Sequence, residues 1–351
     1  MQHVTGDTLV LSASVNGAKV DAIVDTGSGA TIISASLATR LGIPIGERRT
    51  IRGLSGTTEI NLAVDVDLAI GSERRRLPFV VVTNLDLFSA GLGRSVDLLL
   101  GADMLGHYAL ALDFDRRLLA LAPTGTFEGG ASWRTLALSL GSYRELLTTA
   151  VIADAPATLM VDLGSTAALM LSHVFVETHG LTKDIRTSTA ALGGVEGVKT
   201  VSVFRLDRLT LAGWSVRSVP AIIPASWMSE SSVGNLGLPI LRQFNVVVDI
   251  AARQLWLRPA VRPAEILIDR SGLGVAIGQG ELTIIHVARG SPAEKDGWVA
   301  GERIVAIGGE PIDAGFASGP LFRWRHQAAG AIVVLRDGTG RVRRLRLDDY
   351  F

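Results

Sequence analysis

The residues of this chain best suited to do chemistry lie in two short segments, Asp25-Thr26-Gly27-Ser28 and Asp162-Leu163-Gly164-Ser165, each preceded by an apolar run. An ionised carboxylate can take a proton from water, and a protonated one can give a proton to a carbonyl oxygen. Brought within a few Å of each other, two carboxylates do not both ionise comfortably, so one pKa rises, the other falls, and a base stands beside an acid. Gly27 and Gly164 let a backbone N–H approach each carboxylate, and the hydroxyls of Ser28 and Ser165 are expected to donate to its outer oxygen. Taken singly, each Asp-x-Gly reads as a turn at the end of a strand.

Duplication changes that reading. Asp162 follows Asp25 by 137 residues, and 136 residues separate both Gly101 from Gly237 and Asp113 from Asp249. Leu99-Leu100-Gly101 leads to Leu112-Asp113-Phe114 just as Asn235-Leu236-Gly237 leads to Val248-Asp249-Ile250. A period this long describes two equivalent lobes rather than a solenoid. Asp113 and Asp249 read as turns between paired strands and stay outside the site.

The elements that must position the carboxylates are short Val-, Ile-, Leu- and Thr-rich runs separated by Gly, Pro, Asp and Asn, so both lobes are expected to be mostly β. A short helix is predicted after each motif, over Ser34 to Leu41 and Ser172 to His179, with Ser34 and Ser172 as N-caps and Gly42 and Gly180 as stops. The predicted units are residues 1–125, 126–262 and 263–351, the last beginning after the proline-bearing stretch Arg258 to Pro263.

Composition narrows the alternatives. Lys plus Arg and Asp plus Glu both total 34, so no net field favours nucleic acid or an anionic membrane. Hydrophobic residues make up 48%, yet polar residues interrupt every apolar stretch, and no membrane span is predicted. With no cysteine there is no disulfide, thiol nucleophile or cysteine metal site. His3, His107, His173, His179, His286 and His326 show no H-x-x-x-H spacing, so neither metal nor cofactor is expected. No G-x-S-x-G elbow occurs, and Gly272 to Gly278 misses the dinucleotide spacing.

Asp25-Thr26-Gly27-Ser28, with the later Leu98-Leu99-Leu100-Gly101, resembles the signature of retropepsin-like and pepsin-like aspartic peptidases, over roughly residues 5–260 by the repeat period. The resemblance implies two pseudo-symmetric β-barrel lobes, Asp25 and Asp162 as catalytic dyad, and Thr26, Gly27, Ser28, Gly164 and Ser165 as its support. It also implies hairpin flaps over an extended peptide, for which the Gly-rich turns Gly53-Leu54-Ser55-Gly56 and Gly194-Val195-Glu196-Gly197 are the candidates. Leu163 stands where the family's second threonine would cross-link the lobes. The function expected is an aspartic endopeptidase acting on protein or peptide substrates; the rival is a peptide-binding protein whose dyad Leu163 has allowed to misalign. Duplication within one chain implies a monomer.

The C-terminal unit, with Gly272-Leu273-Gly274-Val275, Gly290-Ser291-Pro292-Ala293 and Gly301-Glu302-Arg303-Ile304, resembles a bacterial PDZ domain. That implies a small α+β unit in which Gly272 to Val275 bind a C-terminal peptide by β-addition, for tethering or regulation, with a groove helix within Pro320 to Gln327 and strands over Ala331 to Arg336 and Val342 to Leu347. A passive appendage is the alternative. Peptidases of this kind suggest export to the periplasm, with the cytoplasm as the alternative.

Overall fold

The computed structural model describes residues 2–3, 8–53, 56–142, 144–194 and 197–351. Strands dominate, and their alternating burial follows the two-residue period of the sequence; Val10–Val15, for instance, buries Leu11, Ala13 and Val15. Among the described residues no helix is long and apolar enough to cross a membrane.

Each half is a sheet curled on itself. In the first, Val10–Val15 pairs with Ala18–Val24 on one side and with the end of the 14-residue strand Thr57–Ile70 on the other. In the second, Leu146–Ile152 pairs with both Ala155–Asp162 and Gly197–Leu211. The strand that ends at each Asp motif runs parallel to the apolar strand before the conserved-spacing glycine: Ile23 lies beside Leu99, and Met160 beside Asn235. That same strand is antiparallel to the one that follows the motif, Ile32–Ser34 in one half and Leu169–Leu171 in the other. The halves therefore repeat strand for strand around the two aspartates.

The predicted helices form at Ala35–Arg40 and His173–Thr178, with the hydroxyls of Ser34 and Ser172 accepting from the backbone N–H of Leu37 and Phe175. Gly42 and Gly180 follow with φ of +62° and +59°, a left-handed turn that glycine enters without steric cost.

A six-stranded sheet joins the halves, with Tyr108–Asp113 against Phe244–Asp249 at its centre. One apolar core runs through both halves, and a smaller cluster of Ile23, Ile32, Ile60, Val81, Leu85, Val96 and Leu99 lies on the other face of the first sheet. Asp249, 1% exposed, accepts from Thr124 Oγ1, the Gly125 N–H and the Ala252 N–H, a turn-pinning role that accounts for its burial. Asp113 accepts from the Arg116 N–H in the corresponding turn.

Residues from Leu273 onward form a separate sheet in the order Leu273–Ile277, Leu282–Val287, Arg303–Ile307, Ile332–Asp337, Val342–Arg346, around its own core of Leu273, Ile284, Trp298, Trp324 and Leu335. The helix expected within Pro320 to Gln327 is a 3-10 helix, Pro320–His326, preceded by a second one at Phe316–Ser318. Gly319 is extended between them, and Trp324, 1% exposed, anchors the segment to the core.

Candidate active site

Asp25 and Asp162 end their strands side by side where the two halves meet. The packing is reciprocal. A Cβ added to Gly27 would lie 2.6 Å from the Asp162 Cγ, and one added to Gly164 would lie 2.7 Å from the Asp25 Cγ. Each glycine is required because the opposite carboxyl group occupies the space a side chain would fill. Each motif also cradles its own aspartate: Asp25 Oδ1 accepts from the N–H groups of Gly27 (3.0 Å) and Ser28 (3.1 Å), and Asp162 Oδ1 from those of Gly164 (2.9 Å) and Ser165 (3.0 Å).

The serines support the pair differently from the sequence expectation. Their hydroxyls donate to backbone carbonyls two residues on, Ser28 Oγ to Ala30 O and Ser165 Oγ to Ala167 O, so their contribution to the carboxylates is the main-chain N–H. A hydroxyl two atoms from the chain reaches the turn's own carbonyl more readily than the outer carboxylate oxygen.

Of the two equivalent motif positions, Thr26 and Leu163, Thr26 alone can give a side-chain hydroxyl to the cross-link between them. Its buried hydroxyl donates to Val161 O (2.8 Å) and accepts from the Leu163 N–H (3.0 Å). Leu163 offers no hydroxyl in return, but its backbone is held, and its side chain is fully buried in the common core. Leucine at this position thus exchanges one polar cross-link for apolar packing while the carboxyls stay together.

The electrostatics follow from the geometry. Burial first, and then the charge of Asp162, push Asp25 up to about 8 against the pull of its two backbone N–H donors. Burial also raises Asp162, opposed first by the side chain of Asn235 and then by the Gly164 and Ser165 amides. Sequence marks Asn235 only as part of the repeat, not as a site residue. It donates from Nδ2 to Asp162 Oδ2 at 2.6 Å and is 1% exposed. The alignment of the two halves carried the signal, since it sets polar Asn235 against Leu99.

Both Gly-rich turns close hairpins. Arg48–Arg52 pairs with Thr57–Ile70 up to Arg52 and Thr57, and the Gly53 N–H donates to Gly56 O; Thr187–Gly194 pairs with Gly197–Leu211 up to Gly194 and Gly197. Leu54, Ser55, Val195 and Glu196 lie outside the described residues. A cavity of about 460 Å³ opens between these hairpins, lined by Thr58, Glu59 and Asn61 of one and Gly194 and Gly197 of the other, with Thr83, Asn84, Asp86 and Phe88. The carboxyl pair does not line it.

A family model for aspartyl proteases matches residues 11–104 and 148–240, one stretch in each half and together more than half of the chain. The chain belongs to the aspartyl protease family. Each matched stretch contains one Asp-x-Gly-Ser motif, so the family's unit occurs here twice in one polypeptide. Among relatives, the chain is similar to DNA damage-inducible protein 1 of Neurospora crassa, 35% identical over 117 residues, which is 32% of this chain and 25% of that one. It is also similar to UBA domain-containing protein Mud1 of Schizosaccharomyces pombe, 31% identical over 117 residues, 32% of each chain. The chain thus spans about a quarter to a third of the length of these relatives. Solved structures similar to it include a retropepsin-like aspartic protease from Rickettsia conorii (14% identity, 38% of this chain and 97% of that one, TM-score 0.27). Another is Basic 7S globulin from soybean (10% identity, 73% of this chain and 93% of that one, TM-score 0.41).

Proposed function

We propose that the protein is an aspartic endopeptidase that hydrolyses peptide bonds of extended protein or peptide substrates, with Asp25 and Asp162 as its catalytic dyad. The observation that carries this reading is the reciprocal seating of each glycine against the other motif's carboxyl, which brings the two carboxyl groups close enough to share one proton. Chemistry then needs only a water held between them. The ionised carboxylate takes a proton from that water as its oxygen attacks the peptide carbonyl carbon, and the protonated carboxyl gives its proton to the carbonyl oxygen. In the collapse of the tetrahedral intermediate the C–N bond breaks, the nitrogen receives the proton held by the first carboxyl, and the second regains its proton from the hydroxyl that becomes the new carbonyl oxygen. The two Gly-rich hairpins are the segments suited to close over a bound strand, and Gly197, with φ of +98° and open space around its Cα, is free to act at such a tip.

The C-terminal unit is proposed as a PDZ-like module acting on the same reaction. Its edge strand Leu273–Ile277 has the strand and glycine loop that β-addition uses, and Gly272 takes φ of +78° against Ser291. That loop does not stand apart from the lobes. Gly274 packs toward Ala191 of the second hairpin, and Ile277 and Ala317 pack against Gly93. Regulation of the cleft through these contacts is therefore favoured over simple tethering.

The test is cleavage of casein across a pH series by the wild type, Asp25→Asn and Asp162→Asn. Wild-type cleavage with each variant reduced by at least about 10³-fold supports the shared dyad. A wild type inert at every pH, but still binding unfolded protein, points instead to the peptide-binding reading.

A further inference from the structure

Register makes Asn235 the counterpart of Leu99. Leu99 pairs with Ile23 and Asn235 with Met160, and each of those partners stands two residues before its aspartate. Leu99 belongs to an apolar cluster with Ile23, Ile32 and Val81. Asn235 lies in a strand buried throughout, Gly234–Gly237, where an amide is out of place unless its polar atoms are used. One is used: Nδ2 donates to Asp162 Oδ2 at 2.6 Å, and the amide is oriented with nitrogen inward because its oxygen would be repelled by the carboxylate. The other is not, since Oδ1 is buried and finds no hydrogen-bond partner among the described residues. A buried acceptor left without a donor is unfavourable, so packing alone does not account for asparagine here.

The consequence is a dyad with unequal halves. Both aspartates have two backbone donors on Oδ1, but Asp162 has a third donor on Oδ2. Every hydrogen bond to the charged form favours it, and a donor to one carboxylate of a pair breaks their equivalence. Resting on the aspartic peptidase reading, we propose that Asn235 is a positioning residue that holds the dyad's negative charge on Asp162 and leaves the shared proton on Asp25. The free enzyme then uses Asp162 as the base toward water and Asp25 as the acid toward the carbonyl. Around Asp162 the turn at Gly164 and Ser165 and the strand carrying Asn235 bring neutral groups, so among the described residues Asp25 is the titrating neighbour in this balance.

The experiment compares the pH dependence of kcat/KM on a casein-derived peptide for the wild type, Asn235→Leu, Asn235→Gln and the exchange Asn235→Leu with Leu99→Asn. Loss of the donor in Asn235→Leu is expected to move the acid limb up by about one pH unit, with about tenfold loss of kcat/KM below the limb and little change in KM. Asn235→Gln, which keeps an amide, and the exchange, which supplies a donor beside Asp25, are expected to return the limb toward its wild-type position. A profile lowered equally at every pH in Asn235→Leu would reduce Asn235 to a packing residue and overturn the proposal. Should the wild type cleave nothing, the peptidase reading fails but Asn235 is still decided by thermal unfolding from pH 4 to 8. A carboxyl whose folded pKa is raised costs stability as pH climbs above its unfolded value, so the melting gap between wild type and Asn235→Leu is expected to widen with pH. It is expected to lose that pH dependence in an Asp162→Asn background, and a gap constant with pH in both backgrounds would refute the assignment.

Discussion

At the scale of single residues, Thr26 and Asp25 make opposite contributions. The Thr26 hydroxyl satisfies the Val161 carbonyl and the Leu163 N–H at once, so Thr26→Val leaves two buried main-chain groups unpaired in a site of almost unchanged volume. A loss of about 2 kcal/mol is expected in urea unfolding, together with at least about tenfold lower kcat as the carboxyls lose their fixed spacing. Asp25 runs the other way. Its folded pKa is raised to about 8, so the folded state binds a proton that the unfolded chain releases near 4, and stability falls as pH rises between those values. Asp25→Asn removes that pH-dependent cost, and its melting temperature is expected to exceed that of the wild type by a margin that grows from pH 4 to pH 8 while cleavage is lost. The two motifs were legible in the sequence because their spacing repeats, and repetition is something a one-dimensional string preserves. The targets of the serine hydroxyls and the donor on Asp162 were not, because they depend on which way a side chain turns; Asn235 meets Asp162 across 73 residues and sits in a segment whose apolar neighbours conceal it.

At the scale of elements, Gly101 and Gly237 explain why the strand and the Asp loop can cross in each half. A Cβ on Gly101 would fall 2.4 Å from the Ala30 carbonyl carbon, and one on Gly237 would fall 1.8 Å from Ala167 O. In both halves the obstacle is backbone of the loop that follows the aspartate, which has no rotamer by which to yield. Gly101→Ala is expected to destabilise by about 3 kcal/mol, measured as a lower urea midpoint, and to cut activity by displacing Ser28 and with it the Asp25 cradle. Gly197→Ala meets open space and serves as the contrast, since only its left-handed backbone is strained, at about 1 kcal/mol. Hairpins and capped helices were predictable from glycine, serine and alternation. The 3-10 geometry of Pro320–His326 was not, because burial of Trp324 rather than local propensity decides the course of that segment.

At the scale of the whole molecule, the C-terminal unit grips the base of the second hairpin. Ser188 Oγ donates to Arg289 O, Thr189 Oγ1 accepts from the Arg289 N–H and meets His286 Nε2, and the Arg186 guanidinium donates to Asp349 O. Asp349 gathers the rest: its carboxylate receives Arg270 Nε at 2.7 Å from its own unit and Arg205 from the hairpin strand Gly197–Leu211 at 3.3 Å. The bond to Arg205, then that to Arg270, hold Asp349 below the usual carboxylate range, so the contact is intact above the unfolded carboxylate pKa and weakens as pH falls through the depressed one. Because this carboxylate is 39% exposed, Asp349→Ala is expected to cost only about 1 kcal/mol of global stability. Its local effect should be larger. Hydrogen exchange in Thr187–Gly194 is expected to quicken several-fold in Asp349→Ala at neutral pH, while the buried strand Gly234–Gly237 keeps its protection, because the hairpin opens locally and the common core does not. The wild type should approach the same pattern as the solution is acidified, whereas Asp349→Ala should show little further change. Equal protection of the hairpin in both proteins at every pH would mean that the C-terminal unit rides on the lobes without restraining the second hairpin.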